Sequence, residues 1–137
     1  MKHLLIIFSL LAFITPAHAK TTNLVCKLSG STNFGAGIVD IFENKIENIS
    51  IKSRNGTPVS MSDFNEDECY LNHKDMLVCE EKKLPCCNGG GYFNTIYIID
   101  PNSGEILHSR KQYKNNTLVA ETTSGGYCKK GRQKKLF

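Results

Sequence analysis

The chain has 137 residues, of which 40% are hydrophobic and 22% charged, and its 17 Lys and Arg against 13 Asp and Glu give a formal net charge of +4. That length suits one domain with a single core and needs no second one. The positive charge is concentrated at the end: Lys20 to Cys128 holds eleven basic and thirteen acidic residues, a net of −2, and the excess sits in "KKGRQKK" after Cys128. The folded body is therefore close to neutral, which excludes a general nucleic-acid-binding face.

The first nineteen residues, "MKHLLIIFSLLAFITPAHA", place Lys2 before an apolar run from Leu4 to Ile14, then Pro16 and small residues. This pattern predicts a secretory signal peptide over residues 1–19, cleaved after Ala19 with Ala17 completing the small-residue site. The apolar run is shorter than the roughly 18 to 20 residues that a spanning helix needs. Lys20, rather than a lipid-bearing cysteine, would stand at the new N-terminus. The expectation is a periplasmic or secreted mature chain with no transmembrane segment.

Beyond Lys20, runs of Ile, Val, Tyr, Phe and Thr are broken at short intervals by Gly, Asn, Asp, Pro and Ser, which is strand patterning with little helical periodicity. Strands are expected near 23–29, 37–44, 46–53, 58–64, 69–72, 76–82, 92–100, 105–114 and 117–124. "DPNSGE" should turn the chain between 92–100 and 105–114, because Pro101 presets one backbone angle and Gly104 accepts a positive φ. "KNNT" should make the next hairpin. Ile98 and Ile99 are adjacent and both apolar, so that strand is either buried on both faces or bulged. The fold class is all-β: about eight short antiparallel strands in a meander barrel, closed or nearly so, with a sandwich as the alternative.

The stretch "YIIDPNSGEIL" with "GGYC" at 125–128 resembles a recurrent ending of small exported bacterial β-rich proteins, in which I-D-x-x-[ST]-G-x-[IL] leads into a last strand and G-x-C. The resemblance covers about the last third of the chain and implies a single β-rich domain, which the length after the leader places over 20–128. Those proteins are largely without assigned function. The "PCC" loop and the basic tail, 129–137, depart from the pattern.

All six cysteines, Cys26, Cys69, Cys79, Cys86, Cys87 and Cys128, lie after the leader, and an even number in an exported chain reads as three disulfides. Adjacent Cα atoms are about 3.8 Å apart, below the usual 4.4 to 6.8 Å for a bridge, which argues against Cys86–Cys87. If Cys26 ties to Cys128, three bridges then also exclude Cys69–Cys79. Two pairings remain: Cys69–Cys86 with Cys79–Cys87, or Cys69–Cys87 with Cys79–Cys86. Either would pin the loop "KKLPCCNGGGYF" onto the preceding hairpin.

That loop lacks the C-x-x-C spacing of zinc or thiol-redox sites, and its three glycines lack the context of a phosphate loop and a following helix. Gly89, Gly90 and Gly91 are expected to supply positive φ or close backbone approach. Asn88, Gly89, Gly90, Gly91 and Tyr92 form a candidate binding loop whose contribution is shape. His73, Asp75 and His108 have no nucleophile context and read as surface polar residues. Asp63, Glu66, Asp67 and Glu68 lack the positions of a calcium loop and read as solvated. No catalytic residue, metal ligand or cofactor is expected. Tyr92, Phe93, Tyr97 and Tyr127 are expected to cluster in the core.

Two functions are consistent with these readings. The first is an exported, non-enzymatic binding protein with an envelope protein partner, of inhibitor or immunity type against an enzyme or toxin. The second is an envelope-associated surface protein whose tail residues Lys129, Lys130, Arg132, Lys134 and Lys135 contact a polyanion or anionic lipid.

Overall fold

The computed structural model describes residues 19–35, 37–87 and 89–131. Within them the chain is an all-β, eight-stranded antiparallel sheet curled into a nearly closed barrel. The strands are β1 (Ala19–Phe34), β2 (Val39–Arg54), β3 (Thr57–Met61), β4 (Cys69–Leu71), β5 (Leu77–Cys86), β6 (Gly91–Ile99), β7 (Glu105–Lys114) and β8 (Thr117–Lys130). Their order across the sheet is β3-β2-β1-β8-β7-β6-β5-β4, so the first and last strands pair at its centre and the edges come from mid-chain. A single 3-10 turn, Glu66–Glu68, is the one helical element among the described residues. None of these residues forms a helix long and apolar enough to cross a membrane.

Turn chemistry sets the register. Asp100 accepts backbone N–H bonds from Asn102 and Ser103, and Gly104 takes φ +80°, closing the β6–β7 hairpin. Asn115 and Asn116 take φ +51° and +60°, the pair of left-handed residues that a two-residue hairpin needs. The segments expected at 37–44 and 46–53 are one strand, β2. Its register against β1 slips between Leu28 and Gly30, opposite Asn44 at φ +52°, and a bulge there resembles a strand break in sequence. The last strand also runs further than expected: Lys129 and Lys130 pair with Val25 and Leu24 in the ladder and are not part of a loose tail.

Alternate residues on the inner face form the core: Cys26, Leu28, Ile49, Ile51, Met61, Leu77, Cys79, Ile99, Ile106 and Cys128. Ile98 and Ile99 obey the strand period. Ile99 is fully buried inside, and Ile98 joins Val78 and Leu107 in an outer row across three strands. Gly126 is dictated by the close crossing of β8 over β1, where a Cβ would overlap the carbonyl oxygen of Lys27.

Two disulfides staple this core, Cys26–Cys128 and Cys69–Cys79, while Cys86 and Cys87 carry free thiols. This corrects the expectation of three bridges and of a loop tied back to Cys69 and Cys79. Cys69 stands directly opposite Cys79 in the β4–β5 ladder. Cys86 lies seven residues further along β5, on the order of 20 Å away in an extended strand. The exclusion of Cys69–Cys79 rests on the assumption that every cysteine is bridged within the chain, and that assumption does not hold.

Candidate functional site: the open end of the barrel

The two ends of the barrel are built from different numbers of strands. Short β3 and β4 pair only with Ile51–Arg54 of β2 and Leu77–Cys79 of β5, and they close the end that holds the core. Beyond them, among the described residues, β2 pairs only with β1 over residues 39–47, and β5 only with β6 over residues 80–86. Both strands therefore present an edge without a strand partner on that side. Unpaired backbone groups make such an edge a template for another chain.

The inner face changes character at the same level. Following the two-residue period upward from the core, Ile106 is succeeded by His108 and Arg110 on β7, and Ile99 by Tyr97 and Thr95 on β6. Ile49 is likewise succeeded by Glu47 and Lys45, and β8 contributes Ser124 and Thr122. Two cavities open here, of about 290 and about 350 Å³, and share Glu47, Tyr97 and Arg110 as a common wall.

The groups in this wall are ordered by one another. The Tyr97 ring stacks on the His108 imidazole at 4.3 Å and meets the edge of Phe64 at 5.9 Å. Its hydroxyl donates to Glu47 Oε2 at 3.3 Å. Burial, and then the neighbouring Glu47 carboxylate, push the phenol up to about 12, so Tyr97 stays neutral. His108 Nδ1 lies 3.3 Å from Ser124 Oγ, while its buried Nε2 has no hydrogen-bond partner among the described residues. Burial comes first, and the Arg110 and Lys45 charges second, in holding His108 down to about 4. Arg110 donates from Nε to Thr95 Oγ1 at 3.4 Å and lies over the Phe93 ring at 5.0 Å.

This arrangement suits recognition better than nucleophilic chemistry. A serine–histidine relay needs an accessible hydroxyl and a carboxylate that orients the other ring nitrogen. Here Ser124 is 4% exposed, and Glu47 is hydrogen-bonded to Tyr97. Neutral Tyr97 and His108 beside the Arg110 guanidinium instead offer donors, acceptors and aromatic faces. The rim adds apolar surface: Ile38, Val39 and Ile41 at the entry to β2, with Phe34 of β1 and Leu118 of β8. Ile41, on the unpaired edge, is 72% exposed.

A larger depression of about 690 Å³ lies at the closed end between turns. Its Asp100 is committed to the β6–β7 turn, and the Asn102 backbone N–H holds that carboxyl below the usual range. We regard this depression as a product of turn packing.

The residues singled out in the sequence are dispersed. Gly89 and Gly90 take φ +100° and +88°, and Gly91 lies so near Cys86 and Tyr113 that a Cβ would come within 3.2 Å of both carbonyl oxygens. Tyr92 stacks on Tyr113 at 5.0 Å. Asn88 lies outside the described residues, as do residues 1–18 and, in the tail, Arg132, Lys134 and Lys135. The expected aromatic cluster does not form, because Tyr92, Phe93 and Tyr97 each have a different neighbour and Tyr127 faces outward, 64% exposed.

His73 and Asp75 belong to the β4–β5 turn, in which Asn72 Oδ1 accepts from the Lys74 and Met76 backbone. His108, expected at the surface, faces inward. In the acidic run, Glu66 pairs with Lys52 and Arg54. The Glu47–Tyr97–His108–Arg110 group escapes a reading of the sequence alone, although the inner parity of "ILHSR" after Ile106 carries the signal. No family model matches the chain, and the comparisons with curated proteins and with solved structures return no match.

Proposed function

We propose that this chain is an exported, non-enzymatic binding protein that engages a protein partner at the open end of its barrel, most simply as an inhibitor or immunity-type protein against an envelope enzyme or toxin. The observation that supports this reading is the pair of unpaired edges, β2 over 39–47 and β5 over 80–86, on either side of a cleft lined by Glu47, Glu81, Tyr97 and Arg110. An extended partner segment can use main-chain hydrogen bonds at such an edge and side-chain contacts in the cleft. The exposed Ile38, Val39 and Ile41 supply the apolar contact that edge pairing alone lacks.

A photo-cross-linking residue at position 41 tests the reading. In envelope extracts it should capture one defined protein, and the same group at position 127, on the outer face, should not. Equal capture at both positions, or none at 41, would overturn it.

The envelope-attached reading keeps one observation in its favour: Lys20 and Lys130 share the rim of the closed-end depression. Removal of residues 132–137 that abolishes binding to anionic vesicles, with capture at position 41 absent, would select it.

A further inference from the structure

The partner-binding reading uses the β5 edge only as far as Cys86 and takes nothing from either thiol, so the chemistry of Cys86 and Cys87 stands or falls independently of it. Four cysteines of the chain are bridged in the core, whereas these two are free at the mouth of the β5–β6 hairpin. Adjacent side chains on a strand point to opposite faces. Here β5 ends at Cys86 and Cys87 takes φ +52°, which turns the chain, so that the two thiols influence one another.

Their surroundings differ. Cys87 is exposed, and the Gln112 side-chain amide donates to its Sγ at 3.1 Å. Cys86 is half-buried, packed against Gly91 with its sulfur 3.4 Å from where a Cβ would sit. Loss of surrounding water, and then the Cys87 neighbour, push the Cys86 thiol up to about 11. The thiolate, the reactive form, is thereby disfavoured at Cys86. The pair is thus divided into an accessible sulfur and a withheld one.

We propose that Cys87 is a site of reversible intermolecular disulfide formation with an external thiol, and that Cys86 is the neighbour that does not resolve the bond. The oxidant is a disulfide R–S–S–R. The Cys87 thiolate attacks one of its sulfurs, the Cys87 Sγ–S bond forms, and the R–S–S–R bond breaks. The other half leaves as R–S⁻ and takes up a proton. The Cys87 sulfur is oxidised and the departing sulfur reduced, so the exchange balances.

Resolution would require Cys86 to attack Cys87 and close a vicinal ring. That eight-membered ring would contain the Cys86–Cys87 peptide bond, which resists the distortion from a planar trans geometry that so small a ring demands, and Cys86 is half-buried. The mixed disulfide accordingly persists. A small thiol and Cys87 of a second copy share this chemistry.

The test uses the purified full chain with oxidised glutathione at pH 8, read by intact mass and by mapping of unreduced peptides. The expected product carries one glutathione on Cys87 and is reversed by dithiothreitol. Cys86→Ser should keep the adduct, and Cys87→Ser should lose it while retaining the wild-type circular dichroism. With a chromogenic aromatic disulfide, Cys87→Ser should slow the first thiol reaction by about tenfold or more. At substoichiometric oxidised glutathione, a dimer linked through Cys87, formed when the Cys87 thiolate of a second copy attacks the adduct and releases glutathione thiolate, identifies a second copy as a source of the thiol. A Cys86–Cys87 bond as the main product, the adduct on Cys86, or no adduct on folded protein would overturn the proposal.

Discussion

Cys26 and Cys128 stand directly opposite each other across β1 and β8, with Cα atoms 3.9 Å apart and a sequence separation of 102. Cys69 and Cys79 are joined in the same way across β4 and β5, but over only 10 residues. A bridge that closes a longer loop removes more freedom from the unfolded chain, although native strain blurs the relation. Replacing both Cys26 and Cys128 by Ala should cost about 4 kcal/mol, and replacing both Cys69 and Cys79 about 2–3 kcal/mol. Urea titrations of the two double variants check the order, and a larger loss from the Cys69/Cys79 pair would contradict it.

His108 makes stability depend on pH. Its folded value is held down to about 4, against an ordinary 6.5, first by burial and then by Arg110 and Lys45. Between those values the unfolded chain binds a proton that the folded chain does not, so stability is fully present above pH 6.5 and is lost as pH falls toward 4. The loss should be about 1–2 kcal/mol, allowing for screening by water at the partly exposed ring. His108→Phe should remove most of this dependence in urea midpoints at about pH 7 and about pH 4.5. An unchanged dependence would mean that other groups set it.

Tyr97 should ionise late for a phenol, since burial and Glu47 push it up to about 12. Absorbance titration should show one late step among the five tyrosines, and Tyr97→Phe should abolish that step. Loss of the hydroxyl that bonds Glu47 should cost about 0.5–1.5 kcal/mol. If the late step survives the substitution, the assignment is wrong.

Neighbouring glycines should respond very differently to alanine. At Gly126 a Cβ meets the Lys27 backbone, which has nowhere to move, whereas at Gly125 its nearest contact is the Leu107 side chain at 3.1 Å. Gly126→Ala should cost about 3 kcal/mol or prevent folding, and Gly125→Ala about 1 kcal/mol or less. Comparable thermal midpoints for the two variants would be inconsistent with the close β1–β8 crossing.

The sequence exposes the strands because their period and turn residues are local: Pro101 with Gly104, and Asn115 with Asn116, mark hairpins found where they were expected. It conceals the bulge at Asn44, since a left-handed residue within a strand resembles the turn between two strands. The polar cleft is concealed for a different reason. Whether His108 or Arg110 faces inward depends on parity counted from Ile106, and which strands stand across from them is settled by non-local pairing. The cysteine pairing fails at its premise: two thiols have no geometrical claim on the core.

The central pairing of β1 with β8 also has a consequence in time. The first strand made can form its hairpin with β2 at once, but its other side waits for the last strand of the chain. Folding that depends on so distant a contact belongs among the slower, millisecond-to-second classes. During that interval the strand that will become the middle of the sheet is itself an open edge. Arrival of β8, and not any early hairpin, is the event that lets β1 become the middle of the sheet.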